Sequence, residues 1–135
     1  MGGIEEFRNA VDRFNRDFRG PKVETLRPSD PYDIDHDHPR QWPDATKPGI
    51  YAFFDKDRNL LYVGKASLGN AIGNRIGAHL SSNPKRPWMR LDDKSKDAQF
   101  IVTVATAADQ AFVAAALEEF LIREFKPPRN TLAGP

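Results

Sequence analysis

Between Ile4 and Phe18 the apolar side chains fall at Ile4, Phe7, Val11, Phe14 and Phe18. These steps of three and four collect on one side of a helix and leave the charged residues on the other. The Arg19-Gly20-Pro21 that follows predicts its end. From Pro21 to Pro48 the chain turns to proline, aspartate and histidine with no period, which predicts an irregular segment laid over the domain or a mobile arm. "GIYAFFD" and "NLLYVG" are two short β-prone runs separated by "KDR" and predict a hairpin. In "KASLGNAIGNRIGAHLSS" the residues Ile72, Ile76 and Leu80 lie four apart, a helical stripe with Arg75 and His79 along its rim. A polar, proline-punctuated loop, "NPKRPWMRLDDKSKD", leads to a third β-branched run, "AQFIVTVAT". The last element, "FVAAALEEFLIREF", predicts a long helix with Asp109 as its N-cap and Pro127 and Pro128 marking its end.

The resulting order, strand, strand, helix, strand, helix behind an N-terminal helix, predicts an α+β domain. Its small three-stranded mixed or antiparallel sheet must be flanked by helices, because so few strands bury too little apolar surface alone. We divide the chain into an N-terminal helix with an irregular acidic arm (residues 1–45) and a main domain (46–135). At 135 residues and 39% hydrophobic composition, one core is the expectation. No apolar run is long enough for a bilayer or a signal peptide, so the expected setting is cytoplasmic, without a membrane. The chain has no cysteine, which excludes disulfides, zinc knuckles and thiol nucleophiles and leaves oxygen, nitrogen or a hard metal ion for any catalysis.

The formal charge of +1 hides an asymmetry. Residues 1–45 hold 7 basic and 10 acidic side chains, residues 46–135 hold 13 and 9. The interval from Arg58 to Leu91 carries Arg58, Lys65, Arg75, Lys85, Arg86 and Arg90 with no acid among them. Such a run suits a phosphate-bearing partner and equally a set of solvated surface cations.

One carboxylate stands against the pattern. Three and four residues from Glu118, and seven on either side, lie Ala111, Ala114, Ala115, Leu121, Ile122 and Phe125, so Glu118 is expected to turn inward. Glu119 shares its seam with Arg123 and Lys126 and is expected to reach solvent. A carboxylate removed from water is costly unless cations or donors compensate it. The segment Asp33, Asp35, His36, Asp37 and His38 also gathers ligand types, but neighbouring residues of an extended chain point to alternate sides, which favours a solvated loop.

Gly49-Ile50-Tyr51, Tyr62-Val63-Gly64 about ten residues later, and then Lys65, Arg75, His79, Glu118 and Asn130 resemble the GIY-YIG nuclease superfamily over residues 47–131, with Val63 where the motif name has isoleucine. "EEFLIREFKPPRN" resembles the family's glutamate segment and registers Glu118 rather than Glu119 as its acid. The interval from Tyr62 to Arg75 is longer than in the commonest members.

The resemblance implies a metal-dependent endonuclease that hydrolyses phosphodiester bonds in DNA, with RNA left open, by a one-metal mechanism. It implies catalytic roles for Tyr51, Tyr62, Arg75, His79 and Glu118. Glu118 would hold one divalent cation, Mg²⁺ or Mn²⁺; Tyr51 would help deprotonate the attacking water, Arg75 would contact the scissile phosphate, and His79 would hold Tyr51, move protons or meet phosphate. Lys65, Asn130, Lys85, Arg86 and Arg90 are the substrate-binding candidates, with Trp88 placed to stack on a base. Each has a plainer reading as well: a cross-strand tyrosine pair, a Glu118–Arg75 ion pair, a turn asparagine. For both tyrosines to share a face, their positions must pair across a turn of two or four residues. The alternatives in function are a non-catalytic nucleic-acid-binding module and a regulatory interaction protein retaining the nuclease fold.

Overall fold

The computed structural model describes residues 2–18, 24–37, 40–67, 69–83 and 86–131, with the side chains of 82, 83, 86–88 and 131 excepted. Helix α1 (Ile4–Asp17) follows the apolar spacing and buries Ile4, Phe7, Ala10, Val11 and Phe14. Its first turn is closed by the Glu6 carboxylate, which accepts the Gly3 backbone N–H at 2.7 Å. Strands β1 (Tyr32–Asp33), β2 (Gly49–Phe54), β3 (Leu60–Ala66) and, later in the chain, β6 (Phe100–Ala105) form one sheet. All its pairings are antiparallel, in the order β1-β6-β2-β3.

The α+β class, the flanking helices and the N-terminal helix stand as read; the strand count does not. A fourth strand comes from the arm, where Tyr32 pairs with Ile101 and Asp33 with Phe100, and an isolated bridge joins Pro28 to Val104. Two residues are too short to show a period of two. The polar loop after His79 likewise contains a separate hairpin, β4 (Leu80–Asn83) with β5 (Arg86–Arg90). Leu80 therefore opens a strand, and α2 (Ile72–Gly77) is a single short helix. The spacing of Ile72, Ile76 and Leu80 put three buried residues on one side without distinguishing a helix from a helix turning into a strand.

Helix α3 (Phe112–Phe125) starts after a 3-10 turn at Ala108–Gln110, so Ala111 and not Asp109 is its N-cap. It stops at Lys126, which takes a left-handed φ of 47° and donates its N–H to the Ile122 carbonyl at 2.8 Å. The short helix α4 (Pro128–Thr131) follows.

The sheet has two unlike faces. Ile50, Ala52, Phe54, Val63, Val102 and Val104 meet α1 and α3 in an apolar cluster with Phe7, Val11, Leu117 and Leu121. The apolar face of α1 thus shares one core with the main domain's strands. On the other face, Tyr51, Phe53, Tyr62 and Ile101 meet Ile72, Ile76, Leu80, Tyr32 and Ile34. The Asp33–Asp37 segment is a closed turn: Asp33 Oδ1 accepts the N–H groups of Asp35 and His36, and Asp37 Oδ2 accepts that of Asp33. The carboxylates of Asp33 and Asp37 serve the turn; His38 lies outside the described residues.

Candidate active site

The hairpin register decides where the tyrosines go. Tyr51 pairs with Gly64 and Phe53 with Tyr62, so both tyrosines lie on the same face, with ring centroids 6.2 Å apart. They are diagonal neighbours, not direct partners. The connection is also longer than expected: Phe54 pairs with Leu60, leaving residues 55–59 as the loop, and a bulge between Phe53 and Phe54 absorbs the odd residue. The loop closes on Asp55, whose Oδ1 accepts the N–H groups of Asp57 and Asn59 at 2.9 Å.

Two motif glycines make this packing possible. A Cβ on Gly64 would lie inside the Tyr51 ring and hydroxyl, so only glycine lets the phenol lie across β3. A Cβ on Gly49, at φ 151°, would strike the backbone of β6 at Val104.

Behind the tyrosines stands His79, buried between β2, β3 and the start of β4. Its Nε2 is 2.9 Å from the Tyr51 hydroxyl and its Nδ1 is 2.7 Å from Oδ2 of Asp92. The ring packs against Tyr51, Phe53 and Tyr62 at centroid distances of 5.7, 5.4 and 5.5 Å. Tyr51 is 0% exposed and Tyr62 9%. Burial pushes the Tyr51 phenol far above its usual range, the neighbouring Tyr62 adds to that, and Arg75 opposes it. Burial raises the Tyr62 phenol as well, and its hydrogen-bonding contact with Tyr51 opposes that rise. Of the two, Tyr62 is the less buried. Lys94 places its ammonium 5.4 Å from the Tyr62 ring centroid.

Glu118 is half-buried on α3, at the margin of the apolar face and not at its centre, which is formed by Val113, Ala114, Leu117 and Leu121. The expected neighbours Ala115 and Ile122 are exposed and half-buried respectively; Glu119 is exposed, as its seam predicted. Burial raises the proton affinity of the Glu118 carboxylate, while Lys65 and Arg75 lower it. The same carboxylate acts electrostatically on Tyr62. It has no hydrogen-bond or ion-pair partner among the described residues. Lys65 and Arg75, both exposed, form no ion pair there either, so the plain Glu118–Arg75 bridge is not made.

Among the described residues no group of three or more His, Asp or Glu side chains converges as a metal cage. A lone, half-desolvated carboxylate flanked by unpaired cations suits a hard ion whose other ligands are phosphate oxygens and water, and does not suit a tightly held resident metal.

The remaining candidates separate from this group. Asn130 clamps the backbone of β3: the Val63 N–H donates to its Oδ1 at 2.9 Å and its Nδ2 donates to the Val63 carbonyl at 2.8 Å. That is a frame contact, not a hand held out to a ligand. Arg90 turns away, donating to the Ala98 carbonyl from Nε at 3.0 Å and Nη2 at 2.6 Å and pairing with Asp35 at 3.1 Å. Arg58 lies over the Phe100 ring at 4.6 Å. Among the described residues, the cations of the acid-free run therefore do not all join one surface. Lys85 lies outside the described residues, as do the side chains of Arg86 and Trp88. The sequence reading missed Asp92 and Lys94. "DDKS" signals only a turn, with Asp92 three residues before Ser95; nothing local points back to a histidine 13 positions earlier.

The family model for the UvrC-like GIY-YIG domain matches residues 47–131. Similar proteins include the UvrABC system protein C of Nautilia profundicola, 36% identical over 93 residues, a match covering 64% of this chain and 14% of that protein. The protein of the same name from Pseudomonas fluorescens is 34% identical over 86 residues, covering 64% of this chain and 13% of the relative. That of Helicobacter pylori is 34% identical over 92 residues, covering 65% and 15%. The matches thus span about one seventh of those relatives' length.

Proposed function

The chain belongs to the family of UvrC-like GIY-YIG domains, and from that premise we propose that it is a divalent-metal-dependent endonuclease that hydrolyses phosphodiester bonds in DNA. The observation that carries the reading is the meeting, beside β3, of a phenol–imidazole–carboxylate chain with a carboxylate and two cations that form no ion pair among the described residues. Glu118 would hold a single Mg²⁺ or Mn²⁺, which when bound polarises the phosphate and offsets its charge.

The protein's own groups do the rest. Lys65 and Arg75, free of carboxylates, grip the phosphate, Arg75 with the planar fork that suits its oxygens. The attacking water meets Tyr62, the less buried of the two phenols, because Tyr51 is closed off behind it. As the water oxygen bonds to phosphorus, its proton passes to Tyr62. Tyr62 passes its own proton to Tyr51, and Tyr51 passes one to His79 Nε2. The phosphorus–oxygen bond to the departing strand breaks, that oxygen takes a proton from solvent, and His79 returns one to solvent. Burial makes a lone Tyr51 phenolate costly, so the proton moves through this phenol and does not simply leave it. Lys94, beside Tyr62, adds a third cation near that phenol.

Purified chain incubated with supercoiled plasmid, single-stranded DNA and RNA, with and without Mg²⁺ or Mn²⁺, tests this directly. Metal-dependent nicking of the plasmid is expected. Glu118→Gln should lower the rate on the order of 10³-fold or more, as losing several kcal/mol of charge stabilisation implies, with DNA affinity and the melting temperature retained. Tight DNA binding without cleavage at any metal concentration would make this a binding module instead.

A further inference from the structure

The turn after β5 supplies a carboxylate that the roles above leave unused. Asp92 is anchored through one oxygen: Oδ1 accepts the Ser95 N–H at 3.0 Å and lies 3.0 Å from the Ser95 hydroxyl. Ser95 is fully buried, and its hydroxyl also sits 3.0 Å from the carbonyl of His79 itself, so turn and histidine are pinned together. A second tie comes from α4, where Arg129 donates to the Asp93 carbonyl and to Asp97 Oδ2. Asp92 Oδ2 is thereby presented to His79 Nδ1 at 2.7 Å.

An ionised carboxylate only accepts, so the Nδ1 facing it must carry a hydrogen. In the neutral ring this leaves Nε2 as a bare acceptor, 2.9 Å from the Tyr51 hydroxyl. The other tautomer would set Nε2–H against the phenol oxygen and leave Nδ1 and Asp92 as two acceptors in contact. It would also turn the Tyr51 proton toward Tyr62, against the direction in which the relay must run.

Building on the hydrolytic reading, we propose that Asp92, held by Ser95, is a positioning residue of this reaction: it fixes His79 in the Nδ1–H tautomer with Nε2 aimed at Tyr51, so that the imidazole receives the phenol's proton. Asp92 itself neither touches the water nor gains a proton. The arrangement also explains why a buried, polar ring is tolerated among Phe53, Tyr51 and Tyr62: both its nitrogens are satisfied, one by a phenol and one by an acid.

The test uses the whole chain labelled with ¹⁵N at histidine. Long-range ¹H–¹⁵N spectra near neutral pH should show His79 protonated at Nδ1 and bare at Nε2; Asp92→Asn, whose amide can donate to Nδ1, should shift it toward the other tautomer. In metal-dependent plasmid cleavage the same variant should lose on the order of 10²-fold or more in kcat with KM unchanged, the scale of one proton-transfer group. Ser95→Ala, which keeps the acid but loosens its anchor, should fall between the two. A purely structural Asp92 would lower the melting temperature while leaving tautomer and kcat per folded molecule alone. That result, or a wild-type ring carrying its proton on Nε2, overturns the proposal. A wild-type chain that cleaves no DNA fails earlier and differently: it removes the hydrolytic reading and the role of Asp92 with it, whatever the tautomer.

Discussion

The two faces of the central sheet share three of its four strands and solve opposite problems. Toward α1 and α3, each inward side chain of the cluster is a hydrocarbon or a phenyl ring, and aromatic packing such as Phe7 edge-on to Phe54 at 5.5 Å closes it. Toward α2 and the 92–97 turn, the strands present Tyr51, Tyr62 and Thr103, and this side also holds the buried His79 and Ser95. Here each polar atom needs a named partner. Thr103, opposite Tyr51, donates its hydroxyl to Asp44 Oδ2 at 2.9 Å, and His79 spends both nitrogens. Packing shape alone governs the first face, whereas the second depends on where protons sit. Stability and chemistry should therefore respond separately to mutation.

Three experiments probe that separation. The largest effect is expected on the polar face, from Tyr51→Phe, which keeps the ring and removes the relay: kcat should fall about 10²- to 10⁴-fold. The unfolding free energy should drop by only about 1–3 kcal/mol, for the partner left on His79. Steady-state cleavage and urea unfolding on the same preparation check both numbers. Next, Leu117→Ala on the apolar face should cost about 2–5 kcal/mol through the cavity it leaves, with kcat per folded molecule unchanged. A large kcat loss there would mean that the faces are coupled through β2.

The smallest effect concerns acid. Burial pushes both Asp33 and Asp92 upward, yet their hydrogen bonds, to His36 and Gln99 for Asp33 and to His79 and Ser95 for Asp92, hold both below the usual value of 3.8. A carboxylate held low in the folded chain contributes stability above its unfolded pKa and loses it as pH falls through its folded pKa. Urea midpoints should therefore decline as pH drops below about 4, and an Asp33→Asn/Asp92→Asn double variant should decline less. Both acids are partly exposed, so solvent keeps the effect modest.

What the chain reveals about itself divides along similar lines. Tyr51, Tyr62, Arg75, His79 and Glu118 can be picked out as candidates because motif spacing and helix periodicity are short-range properties, and the partly inward position of Glu118 follows from residues three and four away. Asp92 is not legible. Its role exists only because a hairpin unannounced by any alternation folds back and sets it beside His79. Arg90 errs in the other direction: its charge reads as a phosphate contact, but the Ala98 carbonyl and Asp35 claim its guanidinium. Partners distant in sequence decide what a cation does. The same holds for β1, whose two residues become a strand only because the outer side of β6 has ladder groups to satisfy.

The clamp of Asn130 on Val63 has a meaning beyond the candidate site. A sheet of this kind ends in two margins, and any margin with open amide and carbonyl groups invites another molecule to zip onto it. On the β3 side, the Val63 amide and carbonyl are occupied by an asparagine. On the far side the outermost strand is only Tyr32–Asp33, preceded by a bridge at Pro28, a residue with no amide hydrogen to offer. Each border thus carries a feature that discourages edge-to-edge pairing, and at one of them it is Asn130, which the resemblance had placed among the substrate contacts.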